Sequence, residues 1–192
     1  MRIVGGEFKG RALVAPGGSG TRPTSDRARE AVFNILIHAP WSAGIGDLRV
    51  IDVFAGTGAL GLEALSRGAA YCLFVETDAD ARGAIRDNAE ALAPSGALNG
   101  RIRIHRRDGT DLGDKPAADG EPYELVFLDP PYHKGLGQQA LAGLASGGWL
   151  APNAVCVLER ASDEPALVAP GYELLDERKY GAAKVAFLRF EG

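Results

Sequence analysis

Cysteine is scarce in this sequence: Cys72 and Cys156 are its two cysteines, each inside an apolar run of a 192-residue chain. That count excludes a scaffold stapled by several disulfides, and it predicts free buried thiols. Histidine is nearly as sparse. His38, His105 and His133 are scattered, and neither they nor the cysteines have zinc-ligand spacing, so no metal site is expected. Long apolar runs are missing too: none approaches the roughly 18 residues of a spanning helix, which excludes a membrane partner of that kind. The opening Met1-Arg2-Ile3-Val4-Gly5-Gly6 lacks the apolar core of a secretory leader. A cytoplasmic protein is the expectation. No internal repeat and no low-complexity tract occurs, and neither a collagen nor a coiled-coil pattern is present.

What is present is the composition of a globular protein, 46% hydrophobic and 24% charged. The length suits one domain with an appendage. We place the appendage at residues 1–23 and the main domain at residues 24–192. The net charge of −4 is unevenly spread. Arg2, Lys9, Arg11, Arg22, Arg27 and Arg29 face only Glu7 and Asp26 in the first 29 residues, so a basic arm precedes an acidic body.

The arm reads as two short extended segments about Lys9-Gly10, a hairpin, followed by a hinge-like tract at Pro16-Gly-Gly-Ser-Gly20. A helix from Thr24 to His38 follows, its apolar stripe carried by Ala28, Ala31, Val32, Ile35 and Leu36, and Pro40 stops it. Strands are expected at residues 50–54, 71–76, 101–105, 125–128 and 154–159, with helices at 60–68, 78–92 and 136–144 between them. This βαβ rhythm predicts a doubly wound, mostly parallel α/β sheet. Residues 172–180 and 185–190 form a terminal hairpin whose last strand runs antiparallel, and residues 111–122 read as a plain loop.

Gly56-Thr-Gly58-Ala-Leu-Gly61 lies where the first strand gives way to a helix. This spacing lets the backbone approach a nucleotide-like ligand and leaves helix N-terminal N–H groups facing it. Glu76 ends the second strand twenty residues after Gly56, where a carboxylate can accept both ribose hydroxyls. Both NAD and S-adenosylmethionine satisfy these features. Asp52 favours the second, because it would repel a pyrophosphate and attract a sulfonium or an ammonium group.

Asp129-Pro130-Pro131-Tyr132 follows the fourth strand. The prolines fix the backbone, so the Asp129 carboxylate and the Pro130 carbonyl can converge as two acceptors while the Tyr132 ring stacks on a flat substrate. These are parts for methylating a conjugated exocyclic amine, whose growing positive charge the acceptors would stabilise. Asp129 is expected to titrate as an ordinary carboxylate, ionised at neutral pH. His133 is expected to line the loop.

Asp52-Val-Phe-Ala-Gly-Thr-Gly58 with Asp129-Pro-Pro-Tyr132 is similar to class I amino-methyltransferases. Residues 1–11, Arg22-Pro-Thr-Ser-Asp-Arg27 with its following helix, and Phe54-Ala-Gly-Thr-Gly-Ala-Leu-Gly-Leu-Glu-Ala-Leu65 resemble the RsmD family. Those enzymes methylate N2 of a guanine in 16S ribosomal RNA, and the resemblance spans essentially the whole chain. It implies a seven-stranded Rossmann-like sheet and S-adenosylmethionine held by Asp52, Phe54, Gly56, Gly58 and Glu76, with Asp108 near the adenine amino group. It also implies the guanine at Asp129, Pro130, Pro131 and Tyr132. RNA contacts would come from the arm, at Arg2, Lys9, Arg11, Arg22 and Arg27. The expected partner is 16S rRNA, within an assembling small subunit or free, bound by a monomer. A DNA adenine-N6 methyltransferase would use the same amine-binding turn. An NAD-dependent oxidoreductase would leave that turn unused, and a non-catalytic RNA-binding module would explain only the arm.

Overall fold

The computed structural model describes residues 1–15 and 25–192. In chain order its elements are α1 (Asp26–His38), β1 (Arg49–Val53), α2 (Ala59–Ser66), β2 (Tyr71–Val75), α3 (Ala79–Leu92), β3 (Ile102–His105), β4 (Tyr123–Leu128), α4 (Leu136–Ser146), β5 (Leu150–Ala161), β6 (Tyr172–Tyr180) and β7 (Ala183–Phe190). The strands form one sheet in the order β3-β2-β1-β4-β5-β7-β6. All pairs from β3 to β5 are parallel, and β7 runs antiparallel to both β5 and β6. The chain therefore leaves β1 toward β2 and β3, then crosses to β4 on the other side of β1. Open α/β sheets bind ligands at the carboxyl ends of the strands where the order reverses in this way.

Near-continuous apolar strands allow both faces to be covered. On one face α1, α2 and α3 pack Val32, Phe33, Leu36, Leu62, Leu65 and Ile85 against Val50, Phe74 and Phe127. On the other, Ala140, Leu141 and Leu144 of α4 meet Ile51, Val126 and Leu158 together with Trp149. Cys72 and Cys156 are buried and unpaired. Ser25 caps α1 by accepting the Ala28 N–H, and Asp78 caps α3 by accepting the Ala81 N–H.

The expected elements are all found, with three corrections. The N-terminal hairpin reduces to a single antiparallel bridge between Arg2 and Ala12, and the residues between them form turns. Its side chains explain why: Ile3, Phe8 and Leu13 are drawn into the core, and the intervening N–H groups of Val4, Glu7 and Phe8 are taken by Glu63 and Ser66 of α2. The strand expected at 154–159 extends from Leu150 to Ala161, because β4 also pairs with Leu150 and β7 pairs with it as far as Ala161. The stretch 111–122 contains a 3-10 turn at Ala117–Asp119, whose Asp119 is buried against Arg103 at 2.7 Å. The expected hinge at residues 16–20, together with Arg22 and Thr24, lies outside the described residues.

Candidate active site

Side chains alternate across a strand, so residues two apart share a face. Val50, Phe74, Phe127 and Val157 lie on the face covered by α1, α2 and α3. Continuing by two places reaches Asp52, Glu76, Asp129 and Glu159, four carboxylates at the carboxyl ends of β1, β2, β4 and β5, which are successive neighbours in the sheet. Parallel pairing of Leu128 with Leu158 sets Asp129 beside Glu159.

The glycine turn is built for close backbone approach. Phe54, Gly56 and Gly58 all have positive φ, at 61°, 55° and 77°. Left-handed backbone at a residue as bulky as Phe54 is costly and tends to occur at functional sites. Gly61 has a different purpose: a Cβ there would run into the Phe74 ring and the Cys72 sulfur, so its absence lets α2 pack on β2. Asp52 lies beneath this helix start, 1% exposed, with Oδ2 accepting the Gly61 N–H at 2.9 Å. Burial, reinforced by the charge of Glu76, pushes its carboxyl up to about 8.

Glu76 is half-buried and accepts the Gly56 N–H at 2.8 Å and the Asp78 N–H at 2.9 Å. Asp108 is exposed after β3. Its Oδ1 accepts the Thr110 N–H at 2.8 Å and the Thr110 hydroxyl at 2.7 Å, which hold its carboxyl below the usual range. A cleft of about 210 Å³ brings together Phe54, Glu76, Asp108 and Pro131, joined by Thr77, Arg107, Gly109 and Leu136. Asp52, Gly56 and Gly58 do not line this cleft.

At the end of β4, Asp129 is half-buried. Its titration corrects the expectation of an ordinary carboxylate. Desolvation first, then the charges of Glu159 and Asp52, raise its carboxyl well above the usual range. Tyr132 donates its hydroxyl to Glu159 Oε1 at 2.6 Å, and His133 donates its backbone N–H to Glu164 Oε1 at 2.8 Å. His133 itself is exposed, with Nε2 3.6 Å from Asp163.

In the arm, Lys9 and Arg27 are exposed, and Arg2 is exposed with Nε 3.5 Å from Asp26. Arg11 donates to the Ala91 and Leu92 carbonyls, capping the end of α3. Arg29, counted in the sequence with the basic arm, is fully buried: it pairs with Asp26 at 2.8 Å and lies 3.7 Å from Glu63. It cannot reach a phosphate on the surface. Sequence reasoning also missed Asn88, buried in α3, which exchanges two hydrogen bonds with the Val14 backbone and donates to the Thr57 carbonyl. It missed Glu159 too, although Glu159 ends an apolar run just as Glu76 does.

Residues 1–189 match the family described as Conserved hypothetical protein 95. The chain belongs to this family. The ribosomal RNA small subunit methyltransferase D of Escherichia coli strain K12 is 37% identical over 100% of this chain and 89% of its own length. The protein of the same description from Haemophilus influenzae is 35% identical over 94% of this chain and 89% of its own. The solved structure of Escherichia coli yhhF superposes with a TM-score of 0.80 at 33% identity, covering 100% of this chain and 98% of that one. The RsmD resemblance read from the motifs therefore holds, and the sheet is that of the methyltransferase fold. The family match includes the arm as well as the sheet, in keeping with the arm's burial against α2 and α3.

Proposed function

We propose that this protein is an S-adenosylmethionine-dependent methyltransferase acting on the exocyclic N2 of a guanine in 16S rRNA, in the cytoplasm, as a monomer. The observation that carries the reading is the meeting of two parts. Pro131, from the amine-binding turn, lines the same cleft as Phe54, Glu76 and Asp108, three of the six residues nominated for the cofactor. The carboxylates around that cleft suit a ligand with a sulfonium, an ammonium group and ribose hydroxyls, and they would repel a pyrophosphate. When bound, the cofactor supplies an electrophilic sulfonium methyl group.

Glu76 accepts the ribose hydroxyls while its bond to Gly56 holds the turn in place. Asp52, from beneath the turn, would balance the cationic end once that charge lowers its proton affinity, and Asp108 receives the adenine amino group. Asp129 and the Pro130 carbonyl take the two N–H donors of the guanine amine and stabilise the positive charge that grows on nitrogen. Tyr132 stacks on the base, and exposed Lys9 and Arg27, with Arg2, meet RNA phosphates. The raised proton affinity of Asp129 is relieved by a neighbouring cation, so the site is best ionised when the cofactor is present.

The test is transfer from methyl-labelled S-adenosylmethionine to 16S rRNA, offered free and in small-subunit particles from a strain lacking this enzyme, followed by nucleoside mass spectrometry. N2-methylguanosine is the expected product. Labelled N6-methyladenine in DNA, or calorimetric binding of NAD in place of S-adenosylmethionine, would overturn the reading.

A further inference from the structure

The turn that presents Asp129 and Tyr132 is tied to the end of β5. Residues 130–135 leave the sheet, with His133 at a φ of 63°, and two acidic side chains from the β5 end grip them. Glu159 accepts the Tyr132 hydroxyl at 2.6 Å, and Glu164 accepts the His133 N–H at 2.8 Å. Glu164 is itself tied back, accepting the Ala161 N–H at 3.3 Å, and Arg160 donates to the Pro165 carbonyl and to Glu177 of β6. The β5 end is thus a braced platform on which the substrate turn rests. Glu159 is only 9% exposed, and a carboxylate that buried is costly unless it is engaged. One of its engagements is with Tyr132, the ring assigned to the base.

We infer that Glu159 is a positioning residue for the methyl transfer: by holding the Tyr132 hydroxyl it fixes the ring against which the target base stacks. The inference rests on the reading of Asp129 to Tyr132 as the amine site. A phenol can turn about its χ1 and χ2 bonds, and a charge-assisted bond of 2.6 Å removes that freedom before substrate arrives. The charged groups that face Asp129 are Glu159 from β5 and Asp52 from β1, with Glu76 of β2 beyond Asp52. The Tyr132 hydroxyl faces Glu159, while Arg160 is directed away toward Glu177. Removing the Glu159 charge takes away the larger of the two carboxylate influences on Asp129 and so lowers its proton affinity.

The experiment measures kcat, KM for RNA and the pH profile of methyl transfer with saturating S-adenosylmethionine, using full-length Glu159→Gln, Glu159→Ala, Tyr132→Phe and Asp129→Asn. Asp129→Asn tests the underlying site: if it keeps wild-type turnover, the amine-site reading itself fails. If it is inactive, the Glu159 variants decide this inference. Glu159→Gln keeps an acceptor for Tyr132 and loses the charge, so it should retain kcat within a few-fold while the acid limb of its profile moves to lower pH. Glu159→Ala and Tyr132→Phe should each lower kcat, on the order of ten- to a hundredfold for a displaced ring, with cofactor affinity intact. The double variant should lose no more than either single one. Wild-type kcat and an unmoved acid limb in Glu159→Gln and Glu159→Ala, or losses that multiply in the double variant, would overturn it. Should Glu159→Ala fail to fold, Tyr132→Phe decides: wild-type kcat in that variant would overturn the positioning role.

Discussion

The Gly56 N–H donates to Glu76 Oε2 at 2.8 Å, tying the turn after β1 to the end of β2. The acidic residue nominated for the ribose is therefore also a strut of the turn that approaches the ligand. Glu76→Ala should weaken S-adenosylmethionine binding by about 1.5 to 3 kcal/mol, roughly ten- to a hundredfold in Kd. Glu76→Gln, which keeps an acceptor for Gly56, should lose less. Titration calorimetry checks both, and equal affinity in wild type and Glu76→Ala rules the role out.

Asp52 carries a pH signature. Its carboxyl stands at about 8 in the folded protein against an ordinary 3.8. A raised folded value means that the folded state holds the proton more tightly than the unfolded chain. The stability it contributes is full below about pH 4 and is lost as pH rises toward 8. Asp129 adds to the same trend, since its carboxyl is raised as well. Asp52→Asn keeps an acceptor for the Gly61 N–H and removes the titration. Thermal denaturation of the ligand-free protein from pH 5 to 9 should show the wild type losing more Tm than the variant. Parallel curves would refute this.

Glu63 is completely buried, bonded to Arg67 at 2.8 Å and to the Val4 N–H at 2.9 Å, with Arg29 3.7 Å away. Breaking such a cluster strands buried guanidinium groups. Glu63→Ala should cost about 3 to 5 kcal/mol in denaturant unfolding, the scale for removing one partner of a buried pair. A loss comparable to that of an exposed ion pair would show the cluster to be solvated.

RNA affinity should depend on salt through Lys9 and Arg27, two of the exposed cations among the described residues of the arm region. If both meet phosphates of unpaired RNA, changing both to alanine should flatten the slope of log affinity against log salt by about 1.4, at roughly 0.7 per contact. Point substitutions suit this test better than truncation, because Ile3, Phe8 and Leu13 belong to the core. An unchanged slope would place the RNA surface elsewhere.

The pairing of elements to motifs was open to reading because it depends on local order. A continuous apolar run such as Leu125 to Leu128 is what a strand buried on both faces requires, and it is one. Glycines at the β1–α2 turn are demanded by backbone geometry within a few residues of themselves. The fate of Arg29 was not legible in that way. One basic residue among six looks like the others in sequence, and only the approach of α1 to α2 decides that it meets Glu63 inside the protein while Lys9 and Arg27 face water.

By itself the sequence determined the α/β rhythm, the glycine turn, the acidic ends of β1, β2 and β4 and the Asp129-Pro-Pro-Tyr132 turn, since each follows from residue spacing along the chain. The tertiary structure alone decided which carboxylates stand together. Asp52, Asp129 and Glu159 are separated by tens of residues, and the crossover that puts β4 beside β1 and β5 beside β4 makes them neighbours. Proton affinity is a property of such neighbours and of the water they exclude. That is why Asp129, ordinary by composition, becomes a strongly perturbed acid once the sheet has formed.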